Sequence, residues 1–137
     1  MGVEGIKRKA LAAAGLAVAL ILPYGCGKSA SEDIQKKAAA MTGGEPSRGP
    51  DAIRRYGCAT CHAIPGIDGA RGQVGPSLEG IASRTYLAGK LPNQPENMIK
   101  WIREPQEVSP GTAMPQLGVT EQDGKDIAAY LYTLRGK

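Results

Sequence analysis

The segment Cys58-Ala59-Thr60-Cys61-His62 most constrains what this chain can fold into. It holds two of the three cysteines and the only histidine among the 137 residues. Two cysteines separated by two residues fit within one tight turn, and the next residue projects its side chain from the same place. The spacing therefore predicts one site at which two thiols and an imidazole face a common group.

Four kinds of site contain such a segment. A thioredoxin-type dithiol needs a strand–helix–strand context, which the surrounding Pro, Gly and helical patterns do not provide. A zinc site needs a fourth ligand, although only one cysteine remains, and a Cys58–Cys61 disulfide leaves His62 unexplained. Cys-x-x-Cys-His is the attachment sequence of c-type haem, in which both thiols form thioethers and the histidine binds the iron. We therefore predict one covalent haem c on Cys58, Cys61 and His62.

The composition supports a core that depends on a cofactor. Residues 1–25 are predicted to be an export segment. Residues 26–48 are predicted to be a flexible linker, because they hold almost no large apolar side chain. The folded domain is then residues 49–137, and the chain contains no Phe and one Trp. Domains this small often need a metal or cofactor, so we expect the haem to form part of the core.

The N-terminus is typical of an exported bacterial protein. Lys7-Arg8-Lys9 precedes the apolar run 10–22, which is short for the roughly 20 residues of a membrane span. Gly25-Cys26 then predicts lipoprotein-type cleavage and a lipidated Cys26, which would tether the protein to a membrane. Cleavage after Ser31 and an uncleaved anchor are the alternatives. We expect a periplasmic location or one at the outer face of the cytoplasmic membrane.

The charge gives no support for a nucleic-acid partner. The formal charge is +4, from 17 basic and 13 acidic residues. Without the three cations and one acid of residues 1–25, 14 basic and 12 acidic residues remain, a net charge of +2. The remaining sequence has no Lys/Arg run with interleaved aromatic residues, which excludes the usual nucleic-acid surface.

From residue 49 onward the sequence resembles the class I (monohaem) cytochromes c. The resemblance is carried by the haem motif, by Gly75-Pro76-Ser77-Leu78, by Met114-Pro115, and by a terminal amphipathic helix that begins near Thr120. Small bacterial cytochromes and the haem domains of respiratory oxidase subunits are the most similar proteins. The resemblance implies an all-α fold of short helices and long loops around one covalent haem.

The sixth ligand of the iron is predicted to be Met114. A second histidine is absent, and Met98 falls on a helical stripe with Trp101 and Ile102, which favours packing. Met114 lies in a loop, residues 104–119, that has three prolines and no apolar period. The resemblance places the axial methionine in such a loop. A thioether raises the reduction potential, and filled axial positions favour electron transfer over oxygen or peroxide chemistry.

The resemblance also implies supporting contacts. The carbonyl of Pro76 is expected to accept a hydrogen bond from His62, which orients the imidazole. Arg84, Tyr86 and Trp101 are candidates for binding the haem propionates, and Trp101 is equally compatible with simple packing.

The last helix is the clearest predicted element. Thr120 is a capping residue, and apolar side chains repeat at helical spacing along one face. This face consists of Ile127, Tyr130, Leu131 and Leu134. We expect it to pack across the first helix of the domain, around Ile53 and Tyr56. In the class I cytochromes c that the sequence resembles, an aromatic residue usually makes this contact, whereas Ile53 occupies that position here.

These observations predict a monomeric single-electron carrier, not an enzyme, that exchanges electrons with a redox-protein donor and acceptor in the bacterial cell envelope. The alternative is a haem-bearing subunit of a larger dehydrogenase or oxidase. A peroxidase would need a distal histidine or arginine at an open iron. A gas sensor would need carbon monoxide to displace Met114.

Overall fold

The computed structural model describes Met1 and residues 26–136, with side-chain surroundings described from residue 30 onward. Residues 2–25 of the predicted export segment and the side chain of Cys26 lie outside the described residues. The described chain is mostly helical, which confirms the predicted all-α class. Its helices are α1 (Cys26–Thr42), α2 (Gly49–Arg55), α3 (Pro95–Arg103), α4 (Pro105–Val108) and α5 (Glu121–Thr133). Short 3-10 turns cover Pro46–Arg48 and Cys58–Thr60, and a small antiparallel hairpin pairs β1 (Tyr86–Leu87) with β2 (Leu91–Pro92).

Helix α5 is the centre of the fold and packs against α1, α2 and α3. The Thr120 hydroxyl accepts a hydrogen bond from the Asp123 amide at 3.2 Å, so the predicted N-cap is present. The predicted packing of α5 on the first domain helix is also present. Ile53 of α2 shares one buried cluster with Ile127, and the Tyr56 hydroxyl donates to the Asp123 carboxylate at 2.8 Å.

A glycine sets the distance between α2 and α5. A Cβ at Gly49 would lie 2.8 Å from the carbonyl oxygen of Asp126, and closer still to Cβ of Tyr130. Both distances are below van der Waals contact, so any larger side chain would push the two helices apart. The close crossing therefore rests on Gly49 facing Tyr130, a pair that the sequence reasoning did not identify.

The structure corrects the prediction of a flexible linker at residues 26–48. Residues 26–42 form α1, and Ala38 is 2% exposed against the domain. Gly44 lies so close to α5 that a Cβ there would come within 2.6 Å of the Asp126 amide nitrogen. The low apolar content suggested disorder, but small side chains allow close packing and hydrogen bonds to Asp126 hold the segment. Neither the close packing of small side chains nor the hydrogen bonds to Asp126 can be read from the composition.

The long connections between the helices are fixed to each other by backbone hydrogen bonds. The Leu78 amide donates to the Ala63 carbonyl at 2.8 Å, and the Ala82 amide donates to the Leu134 carbonyl at 3.1 Å. These bonds hold the segment after the cysteine motif against the end of α5. None of the helices in the described part of the chain has the length and apolar character of a membrane span.

Candidate functional site

A cavity of about 620 Å³ lies between the helices and the long connections. Its volume falls in the range of cofactor-binding pockets. Side chains of α2, α3 and α5 form its apolar part, among them Ile53, Met98 and Leu131. The structure brings all eight residues that the sequence predicted as cofactor or iron contacts to this one cavity. They are Cys58, Cys61, His62, Pro76, Arg84, Tyr86, Trp101 and Met114.

The two cysteines are presented by a tight turn. Gly57 has a φ of +69°, a left-handed conformation that favours glycine, and the 3-10 turn Cys58–Thr60 follows it. The amides of Cys61 and His62 both donate to the Cys58 carbonyl, at 3.2 and 3.0 Å. Cys58 and Cys61 are free, half-buried thiols that line the same cavity, as the two-residue spacing predicts.

Burial raises the pKa of the Cys58 thiol above its ordinary value. Redox-active and metal-binding cysteines usually need a lowered pKa, because the thiolate is the reactive form. The buried environment of Cys58 is therefore not the one that activates a thioredoxin-type dithiol.

The imidazole of His62 is held in one orientation. Its Nδ1 lies 2.7 Å from the carbonyl oxygen of Pro76. Because a carbonyl oxygen can only accept, Nδ1 carries the proton and donates, which leaves the Nε2 lone pair for a metal. This hydrogen bond is the one that the resemblance implied for Pro76.

Two glycines allow the segment before Pro76 to lie against the cysteine motif. A Cβ at Gly75 would lie 2.7 Å from Nδ1 and 2.9 Å from Nε2 of His62, and closer still to Cε1. A Cβ at Gly72 would come within 2.7 Å of the His62 amide nitrogen. Only glycine fits at either position without displacement. Gly75 was noted in the Gly-Pro-x-Leu segment, but its contact with the ring has no signature in a single sequence.

The three candidate propionate contacts lie at the cavity in different environments. The Arg84 guanidinium donates to the carbonyl of Ser77 and, at 3.3 Å, to that of Glu79. A guanidinium has five N–H donors, so these bonds leave donors for an anion. Trp101 is half-buried, and Tyr86 is 58% exposed. All three can contact a group in the cavity.

The two methionines at the cavity differ in burial, as the sequence suggested. Met98 is almost fully buried in the core cluster with Ile102. Met114 is half-buried on the loop between α4 and α5, with its thioether carried by a segment that contributes little to the core. A thioether on such a segment is available to a ligand that enters the cavity.

Several of the apolar side chains that line the cavity are exposed. Val74 is 76% exposed and Leu117 is 41% exposed, and both line the cavity together with Tyr86. Apolar side chains that remain exposed around a cavity are typical of a surface that contacts a ligand or another protein.

The sequence matches the family model described as Cytochrome c over residues 47–135. It is 33% identical to cytochrome c2 of Rhodopila globiformis over 105 residues, which cover 67% of this chain and 95% of that protein. It is 30% identical to cytochrome c2 of Agrobacterium tumefaciens over 106 residues, covering 64% of this chain and 90% of that one.

A second group of relatives consists of longer proteins. The chain is 33% identical over 90 residues to cytochrome c oxidase subunit 2 of Alkalihalophilus pseudofirmus, covering 65% of this chain. The match covers 25% of that subunit, so this chain spans about a quarter of the length of such relatives.

Proposed function

This chain belongs to the cytochrome c family, and from that premise we propose that it is a single-electron carrier with one haem c and His/Met axial ligation. Membership of the family confirms the class I fold expected from the sequence and implies haem c, electron transfer and redox-protein partners. The observation that supports the finer proposal is the hydrogen bond from His62 Nδ1 to the Pro76 carbonyl, because it leaves Nε2 able to bind a metal at the cavity that the Cys58 and Cys61 thiols line.

The residues at the cavity fit a covalently attached haem. Cys58 and Cys61 would each supply a sulfur for a thioether, and their placement on one short turn suits two attachment points on the same porphyrin. The apolar side chains of the cavity would surround the ring and exclude water. When bound, haem supplies an iron that accepts and releases one electron.

His62 and Met114 are the proposed axial ligands. Pro76 and Gly75 hold the imidazole in place. The Pro76 carbonyl accepts the hydrogen bond from Nδ1, and Gly75 packs close to the ring. Met114 supplies a weak thioether donor, which favours the ferrous state and raises the reduction potential. Two protein ligands leave no coordination position for a substrate, so the site favours electron transfer over catalysis.

We place Arg84, Tyr86 and Trp101 at the haem propionates. A carboxylate in a partly buried site is costly unless hydrogen-bond donors meet it. Arg84 is fixed by its bonds to Ser77 and Glu79, so it would present its remaining donors with little loss of side-chain freedom.

The spectrum of the purified protein is the direct test. We expect a ferric protein with the weak long-wavelength charge-transfer band of iron–methionine ligation, and a pyridine haemochrome spectrum typical of thioether-linked haem. Met114→Ala should abolish the band, whereas Met98→Leu, the matched control on α3, should retain it. A band that survives Met114→Ala would refute the assignment of the sixth ligand.

The proposed setting is the bacterial cell envelope. The cationic and apolar N-terminus supports export, and Cys26 supports a lipid tether that holds the protein at the outer face of the cytoplasmic membrane. We expect a monomer. Mass spectrometry of the mature N-terminus tests the tether, because an acylated Cys26 supports it and a mature chain that begins at Glu32 refutes it.

The alternative function is that of a haem-bearing subunit in a larger dehydrogenase or oxidase. The similarity to cytochrome c oxidase subunit 2 favours it, because the matched quarter of that protein corresponds to this domain. Mild solubilisation followed by affinity purification distinguishes the two roles. A stoichiometric catalytic chain that copurifies supports the subunit, and recovery of the cytochrome alone supports the carrier.

A further inference from the structure

One side chain that lies outside the cavity makes three hydrogen bonds to the loop that carries Met114. Gln106 belongs to α4, and its Nε2 donates to the carbonyl oxygens of Thr112 at 2.9 Å and Met114 at 3.0 Å. Its Oε1 accepts from the Gly111 amide at 3.1 Å. Three of the four hydrogen bonds that a glutamine amide can make therefore go to the backbone of residues 111–114.

The position of Gln106 is itself fixed. Its neighbour Pro105 is among the most completely buried side chains of the described chain and begins α4. The Gln106 side chain is half-buried, and it is not among the residues that line the cavity. It can therefore act on a group in the cavity only through the loop that it holds.

The ends of the loop have other attachments. The Lys90 ammonium donates to the Ser109 hydroxyl at 3.0 Å, and Arg103 Nε donates to the Val119 carbonyl at 3.4 Å. Between these two points, Gly111 has a φ of +78° and lies in a turn that the Thr112 amide closes by donating to the Ser109 carbonyl at 3.0 Å. The Gln106 amide binds the outside of this turn through Gly111 and continues to the Met114 carbonyl. At Met114 itself, the other hydrogen bond is a long one, from the Met114 amide to the Thr112 hydroxyl at 3.4 Å. Removing the Gln106 amide would therefore loosen the middle of the loop, where Met114 lies, and leave its ends in place.

We propose that Gln106 is a positioning residue for Met114: its three backbone hydrogen bonds fix the turn that presents the thioether to the cavity. The proposal rests on the proposed role of Met114 as the axial ligand. A mobile turn would allow the thioether to leave the iron more often, and an external ligand would then compete more successfully for the open coordination position.

The test uses the purified ferric holoprotein and imidazole as the competing ligand. Gln106→Ala removes all three bonds, and the matched control Gln116→Ala truncates an exposed glutamine of the same loop. We expect imidazole to bind Gln106→Ala about tenfold more tightly than the wild type, since three modest hydrogen bonds are lost. The charge-transfer band should weaken, and the Gly111 amide should exchange faster. Gln116→Ala should match the wild type.

A second variant separates positioning from packing. Gln106→Glu keeps the volume and an acceptor for Gly111, but its carboxylate cannot donate to the Thr112 and Met114 carbonyls. We expect it to bind imidazole at least as tightly as Gln106→Ala. A role in packing alone predicts wild-type behaviour instead. If Gln106→Ala yields no holoprotein, Gln106→Leu takes its place with the same expectations.

The outcomes distinguish this proposal from the proposed function. If Met114→Ala loses the band while Gln106→Ala and Gln106→Glu retain the wild-type imidazole affinity and Gly111 exchange, the positioning role is overturned and the ligand assignment stands. If Met114→Ala keeps the band, the ligand assignment fails, and the positioning role falls with it.

Discussion

Replacing Gly75 with alanine tests whether the imidazole of His62 is held where the proposed site needs it. The new Cβ would lie 2.7 Å from Nδ1, although non-bonded heavy atoms prefer about 3.5–4.0 Å. Either the ring or the loop must therefore move by about 1 Å. That movement would stretch the 2.7 Å hydrogen bond to Pro76 beyond the usual limit of about 3.2 Å.

The expected loss of stability in Gly75→Ala follows from the close contact and from the weakened hydrogen bond. Overpacking a close contact costs about 1–3 kcal/mol, and a lost neutral hydrogen bond costs about 0.5–1.5 kcal/mol. Gly75→Ala should therefore lower the free energy of unfolding by about 2–4 kcal/mol. It should also broaden or shift the NMR signal of the His62 ring proton on Nδ1.

Urea unfolding of the holoprotein, followed by circular dichroism, measures the free energy of unfolding. The control is Gly136→Ala, because a Cβ there would meet its neighbours no closer than 3.8 Å. A Gly75→Ala protein within about 0.5 kcal/mol of the wild type, with an unchanged ring signal, would refute the close packing of Gly75 on His62.

Two further predictions concern the sixth ligand and the docked N-terminal segment. Met114→Ala should lower the reduction potential in a voltammetric titration, because loss of the thioether removes the ligand that favours ferrous iron; an unchanged potential contradicts the assignment. Asp126 is 2% exposed and, although burial alone would raise its pKa, hydrogen bonds from Arg48, the Glu45 amide and Gln122 lower it overall. The stability that this lowered pKa contributes is present above the ordinary value of about 4 and is lost as the pH falls through the folded-state value. Asp126→Asn should lower the free energy of unfolding by about 2 kcal/mol at pH 7. The free energy of unfolding of the variant should also fall less than that of the wild type as the pH is lowered. Urea unfolding between pH 7 and pH 3 measures both effects.

The chemistry of the site could be predicted from the sequence because it is local. Cys58, Cys61 and His62 lie within five residues, and one turn brings them together whatever the rest of the chain does. The terminal helix could be predicted equally well, because its N-cap and the spacing of its apolar residues are short-range patterns. The resemblance supplied Pro76 and the Met114 loop, which are too distant in sequence for spacing alone to place them.

The features that sequence reasoning missed depend on specific contacts that no local pattern encodes, and most of these contacts join distant segments. The Asp126 carboxylate accepts a hydrogen bond from the Glu45 amide, 81 residues away in the sequence, and no periodic pattern predicts such a bond. The low apolar content of residues 26–48 suggested disorder, whereas Ala38 and Gly44 make a close fit that needs no large side chain. Gln106 was not identified from the sequence, because its hydrogen bonds go to backbone atoms of the loop, which the residue types do not reveal.

The central claim is that haem is joined covalently to Cys58 and Cys61. Intact mass spectrometry of the acid-denatured protein, made in a host that matures c-type cytochromes, tests this claim most directly. We predict a mass that exceeds the polypeptide by one haem, and loss of one thioether in Cys58→Ala or Cys61→Ala. A wild-type chain that weighs no more than its amino acids would contradict the account.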